Sequence, residues 1–503
     1  MTRRIVAALA VVLTVAVALA QNPIQRAAEA TKDAPEKKTQ TEPEQKPRLE
    51  VRLSSPTPQP DRIILTWKGD PATTQAVTWR TDTSVTGAVA QIALADPGPG
   101  VEPGWRGYDP KKVTTAPART DPLKTAINEA HYHSVNFEGL RPKTRYMYRV
   151  GDGTVWSEWF QFDTASTEPE PFGFIYFGDA QNGIKTLWSR VARGAYSDMP
   201  KAKFIVHAGD LVDRGTSDIE WGEWHTAAGW INGMVPSLPT PGNHEYTGSK
   251  GLTAHWRAQF TLPENGPPGL EETCYSLDFQ GVRMISLNTE EKVPEQAAWL
   301  EGVLANRPPA IRWTVVTLHR PLYATAAGRQ SEEQGKAVRV HWRPVFDRYT
   351  PDLVLQGHDH SYGRSGLMKE DNLLSGTQVH TERGTVYVVS VSGAKMYTVG
   401  EQHWMANTNK GEGMQLYQLI RIDGDTLKYE SRTATGELFD AFTLRKRPDG
   451  GNDLIEGDVP LLKDQNNSRP YWNAAAGLVI LTAVGLGVAW AFKGRNGTNV
   501  PAA

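Results

Sequence analysis

The sequence predicts an all-β sandwich, then a larger α/β domain, then one apolar span near the C-terminus. Three observations carry this. From Asp61 to about Ala165, apolar and polar residues alternate with period two between Gly, Pro and Asp turns, as half-buried strands do. After Pro169-Glu170-Pro171, apolar strands alternate with helical stretches, the pattern of α/β layering. The run Ala474 to Phe492 carries no charge and has nearly the length needed to cross a bilayer.

The chain has 503 residues, room for two or three domains. Its net charge of −2 and lack of a basic block argue against a nucleic-acid partner. Cys274 is the only cysteine, so no intrachain disulfide can form. Arg3 and Arg4 precede an apolar run from Ile5 to Ala20 that ends in small residues. This describes a secretory signal peptide over 1–20, with an uncleaved anchor as the alternative. Either one exports the rest. Residues 21–59, rich in Glu, Lys, Thr, Gln and Pro, read as a disordered linker.

The sandwich is placed at 60–166, with strands at 62–67, 75–80, 131–137, 145–150 and 158–162. The α/β domain is placed at 170–446. Strands are expected at 172–177, 313–318, 353–356, 385–391, 415–422 and 427–431, with a hairpin over 275–288 turning at Gln280-Gly281. Helices are expected at 185–196, 218–231, 295–306 and 333–349. A polar linker follows at 447–471, then a transmembrane helix at 472–492 and a cytoplasmic tail at 493–503. Tyr471, Trp472 and Trp490 flank the span, and Lys493 and Arg495 follow it, which sets the C-terminus inside and the folded domains outside the membrane.

Five short stretches share one layout of apolar run, turn, then donor side chains. They are Gly178-Asp179-Ala180-Gln181, Gly209-Asp210, Gly242-Asn243-His244-Glu245, Leu318-His319-Arg320 and Gly357-His358-Asp359-His360. A donor just beyond a strand's C-terminal end lies where α/β sheets bind ligands. Each stretch alone is weak, because Gly-Asp is commonly a turn and a strand-end His is commonly structural. Together Asp179, Asp210, Asn243, His319, His358 and His360 supply enough donors for two ions that share Asp210. Imidazole, carboxylate and amide in one set suit iron, zinc or manganese better than calcium.

This set resembles the calcineurin-like metallophosphoesterase superfamily, and within it the purple acid phosphatase-like branch. Leu140 to Tyr146, Gly151-Asp152-Gly153 and Trp156 to Trp159 resemble that branch's fibronectin type III-like N-terminal domain. The resemblance implies a four-layer α/β/β/α core. It assigns one ion to Asp179, Asp210 and His360, and the other to Asp210, Asn243, His319 and His358. Gln181 stands where purple acid phosphatases have Gly, and its amide oxygen is a further candidate ligand. Asp213 stands where that family has a metal-binding Tyr, whose bond to Fe(III) gives the colour, so a colourless protein is expected. Asp213-Arg214-Gly215 instead resembles the protein Ser/Thr phosphatase branch, where the Asp orients the His of the Asn-His pair and the Arg binds phosphate; a turn salt bridge is the alternative.

The implied activity is hydrolysis of small phosphate monoesters by in-line attack of metal-bound hydroxide. His244, set by Asp213, would be the general acid, and Arg214 and Arg364 would balance charge. Arg364 follows Gly363 where the family has Glu, and a structural salt bridge is its alternative role. Tyr323 either lines the pocket or is an exposed loop aromatic. A phosphodiesterase or nucleotidase on the same scaffold, or a non-catalytic surface adhesion protein, are the competing functions. The sequence sets no oligomeric state.

Overall fold

The computed structural model describes residues 54–374 and 383–462, except 402, 408 and 410. The expected signal peptide, most of the first linker, the transmembrane helix and the tail lie outside these residues. Among the described residues, no helix is long and apolar enough to cross a membrane.

Eight strands build the N-terminal sandwich: β1 (Asp61–Thr66), β2 (Gln75–Thr81), β3 (Val89–Leu94), β4 (Thr114–Pro117), β5 (Arg119–Lys124), β6 (Glu129–Phe137), β7 (Arg145–Gly151) and β8 (Phe160–Asp163). They form two four-stranded sheets, ordered β1-β2-β6-β5 and β4-β3-β7-β8. Leu65, Val77, Trp79, Val135, Tyr148 and Phe162 fill the space between them. The strands at β3, β4 and β5 were not expected. β4 and β5 are polar and largely exposed edge strands, so alternation is weak there.

The second domain continues with β9 (Phe172–Phe177), helix α1 (Ser189–Asp198), β10 (Ile205–Ala208), α2 (Asp218–Ala228), β11 (Ser237–Thr240), α3 (Ala254–Gln259), β12 (Tyr275–Phe279), β13 (Val282–Leu287), α4 (Val293–Ala305), β14 (Trp313–Leu318), α5 (Glu333–Tyr349) and β15 (Leu353–Gln356). It closes with β16 (Gly363–Arg364), β17 (Leu367–Lys369), β18 (Asn372–Leu374), β19 (Val386–Val389), β20 (Leu416–Asp423), β21 (Thr426–Thr433), β22 (Leu438–Lys446) and β23 (Asn452–Glu456). The expected helix at 185–196 is a π turn over Ile184–Trp188 that runs into α1. The helix expected over 218–231 ends at Ala228, where Gly229 allows a positive φ of 57°. β23 pairs with β22, so part of the stretch read as a linker belongs to the sheet.

Two sheets pack face to face. One runs β11-β10-β9-β20-β21-β22-β23, the other β12-β13-β14-β15-β19-β16. In the second sheet, Val315, Leu353 and Leu355 join the core between the sheets, while Val316 and Val354 face the outer core with Leu300, Trp342 and Phe346 of α4 and α5. That alternation is the period-two rule. Trp188, Val191, Trp221 and Trp224 cover the first sheet from its other side. The result is the expected order of helix, sheet, sheet, helix. β11 contains Pro239, which lacks an N–H, and it sits at a sheet edge where none is needed.

The sandwich is tied to the α/β domain by a buried charge network. Arg62 from β1 holds Asp218 at 2.6 Å, and Arg80 from β2 reaches the same carboxylate at 3.3 Å. Tyr132, Asn128 and Asp61 complete the hydrogen bonding. Burial alone would raise the Asp218 carboxyl, but the Arg62 guanidinium holds it below its ordinary 3.8. Removing one partner of a buried pair strands the others. Asp218→Ala should therefore cost about 3–5 kcal/mol, read by urea denaturation. Because the folded pKa is depressed, the wild-type contribution is present above 3.8 and fades as pH falls through the lower folded value; the Asp218→Ala penalty should shrink there.

Candidate metal centre

The donors gather because three parallel strands of one sheet and two of the other end at the same place. Asp179 follows β9, Asp210 follows β10, Asn243 follows β11, His319 follows β14, and His358 and His360 follow β15. β9, β10 and β11 are mutually parallel, as are β14 and β15, so their C-terminal ends line up. The turns are tight. Gly209 takes φ 86°, and a Cβ there would come within 2.5 Å of His319 Nδ1. Asp210 and His358 take φ values of 51° and 73°, conformations that cost a non-Gly residue about 1–3 kcal/mol.

Two groups of ligand atoms result, Asp210-His319-His358 and Asp179-Asp210-His360, each with its donor atoms within 4.8 Å of one another. All five residues are buried, and Asp210 is common to both groups. Asp210 Oδ2 lies 3.1 Å from His319 Nε2, and Asp179 Oδ2 lies 3.2 Å from His360 Nε2. Asn243 Oδ1 is 3.1 Å from His319 Nε2, which places the amide at the first group. The outer ring nitrogens find carbonyls: His319 Nδ1 meets Ala208 O at 2.9 Å, and His360 Nδ1 meets Lys395 O at 3.0 Å. Each of these contacts leaves Nε2 turned toward the cluster.

The donor set fits cations. Asp179 Oδ2 and Gln181 Oε1 are buried acceptors with no hydrogen-bond donor. Burial pushes the Asp179 carboxyl up from its ordinary value. It would raise Asp210 too, but the His319 imidazole holds Asp210 down. Burial opposes a charge on His319, yet the Asp210 carboxylate overrides it and lifts the ring to about 10. Burial keeps His358 at about 3, so it is a neutral imidazole, the form that ligates.

Gln181 is brought into the cluster, but its amide nitrogen leads. It donates to Asp210 Oδ2 at 2.9 Å and lies 3.0 Å from His360 Nε2. An amide's two ends are assigned by such partners, and turning it over would put Oε1 among the ligand atoms.

His244 stands over the same carboxylate, its backbone N–H donating to Asp210 Oδ1 at 2.8 Å. Its side chain is 20% exposed, and Nε2 is 3.9 Å from Asp210 Oδ2. The expected partner, the Asp213 carboxylate, is 3.6 Å from Nδ1. The hydrogen bond goes to the Asp213 backbone carbonyl instead. Asp213 therefore orients His244 through its main chain, which any residue could do if the turn held its shape. Glu220 holds that turn, accepting from Asp213 N at 2.8 Å and Arg214 N at 2.9 Å. Arg214 is exposed at the same edge.

Arg364 is a correction. It does not reach the cluster: its guanidinium is buried between Asp440 at 2.8 Å and Glu456 at 2.7 Å. Two carboxylates from β22 and β23 draw it into the core, so it is the structural salt bridge and not a balance for phosphoryl charge. Tyr323 is buried too, with its hydroxyl on Asp371 at 2.7 Å. His207 packs among Phe177, Trp188 and Trp224.

Sequence reasoning gave Glu245 no role. Its buried carboxylate accepts three backbone N–H groups, from Gly242 at 2.7 Å and from Asp210 and Leu211 at 2.9 Å each. It binds the turn after β11 to the turn after β10 and so fixes Asp210. Burial, with Asp210 beside it, pushes its carboxyl up to about 8. The residue was in view beside His244, but one sequence does not say that a Glu is buried. Arg329 and Glu332, beside His358, were likewise hidden in a polar loop with no periodicity, and Arg320, quoted beside His319, was given no role.

A four-layer sandwich with carboxylate, amide and imidazole donors at its strand ends, one carboxylate common to two ligand groups, defines the metallophosphoesterase class. The purple acid phosphatase N-terminal domain model matches residues 60–164, and the calcineurin-like phosphoesterase model matches residues 174–362. An uncharacterised protein of Mycobacterium tuberculosis is 30% identical over 48% of this chain and 51% of its own length. The chain thus spans about half the length of the first curated relatives it matches. Acid phosphatase type 7 of Danio rerio is 27% identical over 64% of this chain and 79% of its own. A purple acid phosphatase from yellow lupin seeds shares the fold, with a TM-score of 0.64 at 18% identity over 78% of this chain and 75% of that one.

Glu245→Ala would leave three buried N–H groups without an acceptor, at about 1–3 kcal/mol each. The variant should lose stability in urea and bind fewer metal equivalents than wild type by elemental analysis. Glu245→Gln, which keeps one acceptor oxygen, should fall between the two.

Proposed function

We propose that this chain is an exported, membrane-anchored phosphoesterase that uses two metal ions to hydrolyse small phosphate monoesters. The observation that carries this reading is the pair of ligand groups sharing Asp210 directly beneath His244. Relatives named acid phosphatase and purple acid phosphatase support it. The export and anchoring rest on the apolar runs at 5–20 and 474–492, with the folded domains outside the membrane.

Asp179, Asp210 and His360 would hold one ion, with Gln181 beside them. Asp210, Asn243, His319 and His358 would hold the other. Iron, zinc or manganese suits these donors. When bound, the pair supplies Lewis-acid polarisation of the phosphoryl group and activation of water. The chain's own residues do the rest. His244 donates its Nδ1 proton to the Asp213 carbonyl and, as the doubly protonated ring, would pass its Nε2 proton to the leaving-group oxygen as general acid. Arg214, exposed at the rim, takes a phosphoryl oxygen and balances its charge. Asp213 and Glu220 hold the turn that aims both.

Asp210→Asn should abolish hydrolysis of p-nitrophenyl phosphate; activity equal to wild type would overturn the reading. Faster turnover of bis(p-nitrophenyl) phosphate than of the monoester would move the assignment to a diesterase. His244→Ala should lose about 10²–10⁴-fold on alkyl phosphates and much less on p-nitrophenyl phosphate, whose leaving group needs no proton. With Asp213 in place of the ligand Tyr, the metal-loaded protein should show no strong visible absorption band.

A further inference from the structure

The loop after β14 carries a carboxylate that the proposed chemistry does not use. Glu332 directly precedes α5, and its Oε2 lies 2.9 Å from His358 Nε2. The other nitrogen of that ring, Nδ1, faces the cluster, 3.2 Å from His319 Nε2. A neutral imidazole carries one proton, so the nitrogen that offers a lone pair to a cation leaves the proton on the other. With Nδ1 turned inward, the proton belongs on Nε2 and needs an acceptor.

Glu332 is that acceptor. Arg320 and Arg329 also crowd Nε2, but guanidinium groups only donate. Once Nε2 carries the proton they have no lone pair to meet there, and both also pair with Glu332: Arg320 lies 3.3 Å from its Oε2 and Arg329 3.2 Å from its Oε1. Glu290 takes the other side of Arg320 at 2.8 Å. The loop is held from the ligand segment itself. Asp359, between the two ligand histidines, accepts from Thr325 N at 2.5 Å and Ala326 N at 3.0 Å. Arg329 lies over the Tyr397 ring at 4.8 Å, and Tyr397 N–H donates to the His360 carbonyl at 2.9 Å. The segment that supplies His358 and His360 thus also anchors the loop that returns Glu332 to His358.

We propose that Glu332 is the positioning residue of His358: it holds the proton on Nε2 and so commits Nδ1 to the cation shared by Asp210, Asn243, His319 and His358. This rests on the two-ion reading above. Carboxylate partners of ligand histidines typically change metal affinity 10–100-fold when removed.

The test titrates the full chain, stripped by chelator, with Zn²⁺ in a calorimeter. Wild type should take two equivalents. In Glu332→Ala, one equivalent should weaken by about 10–100-fold and the other should hold. Glu332→Gln, whose amide oxygen still accepts, should stay closer to wild type. The metal-free thermal midpoint of Glu332→Ala should match wild type, which separates positioning from folding. Two equivalents bound at wild-type affinity in Glu332→Ala, or equal weakening of both, would overturn the inference. A wild-type chain that takes fewer than two equivalents would instead sink the two-ion reading, and the inference with it.

Discussion

The structure depends on keeping one carboxylate in place where it is electrostatically uncomfortable. Asp210 is buried, sits in a left-handed backbone conformation and lies beside a second buried carboxylate, Asp179. Neither burial nor strain favours this. It persists because Glu245 fixes the Asp210 backbone from one side, the His244 N–H ties one carboxylate oxygen, and His319 and Gln181 meet the other.

The rest of the molecule supports that point in layers. Parallel strands in two facing sheets bring five turns to one edge. α2 links the sandwich to the site through two carboxylates in its first turn. Asp218 is gripped by Arg62 and Arg80, and Glu220 holds the turn that aims His244. The sandwich therefore contributes to the site without touching it. On the opposite side, Asp359 turns away from its ligand neighbours and pins the loop that carries Arg329 and Glu332.

The legible parts of the fold were those written in periodicity. β14, β15 and α5 fell where the alternation and the helical run put them, and the β12–β13 hairpin turned at Gln280-Gly281 as the turn chemistry required. β4, β5 and β23 were missed because edge strands expose polar side chains and give little alternation. β11 was implied by the run before Gly242 but given no bounds, because Pro236 and Pro239 look like loop residues unless the strand is known to lie at an edge. Among the site residues, Asp179, Asp210, Asn243, His319, His358 and His360 were legible because each follows an apolar strand. Arg364 was misread because its partners Asp440 and Glu456 lie far along the chain.

What the amino-acid sequence determined by itself was which side chains end which strands, because strand pattern and turn chemistry are local. That was enough to name side chains that the structure brings together. Only the tertiary structure decided which charges are bound by other charges. It turned Arg364 into the core, gave the orienting role to the Asp213 carbonyl rather than its carboxylate, and set Glu245 and Glu332 behind the donors. The physical reason is that a side chain's role depends on burial and on partners distant in the chain, and neither is encoded within a window of neighbouring residues.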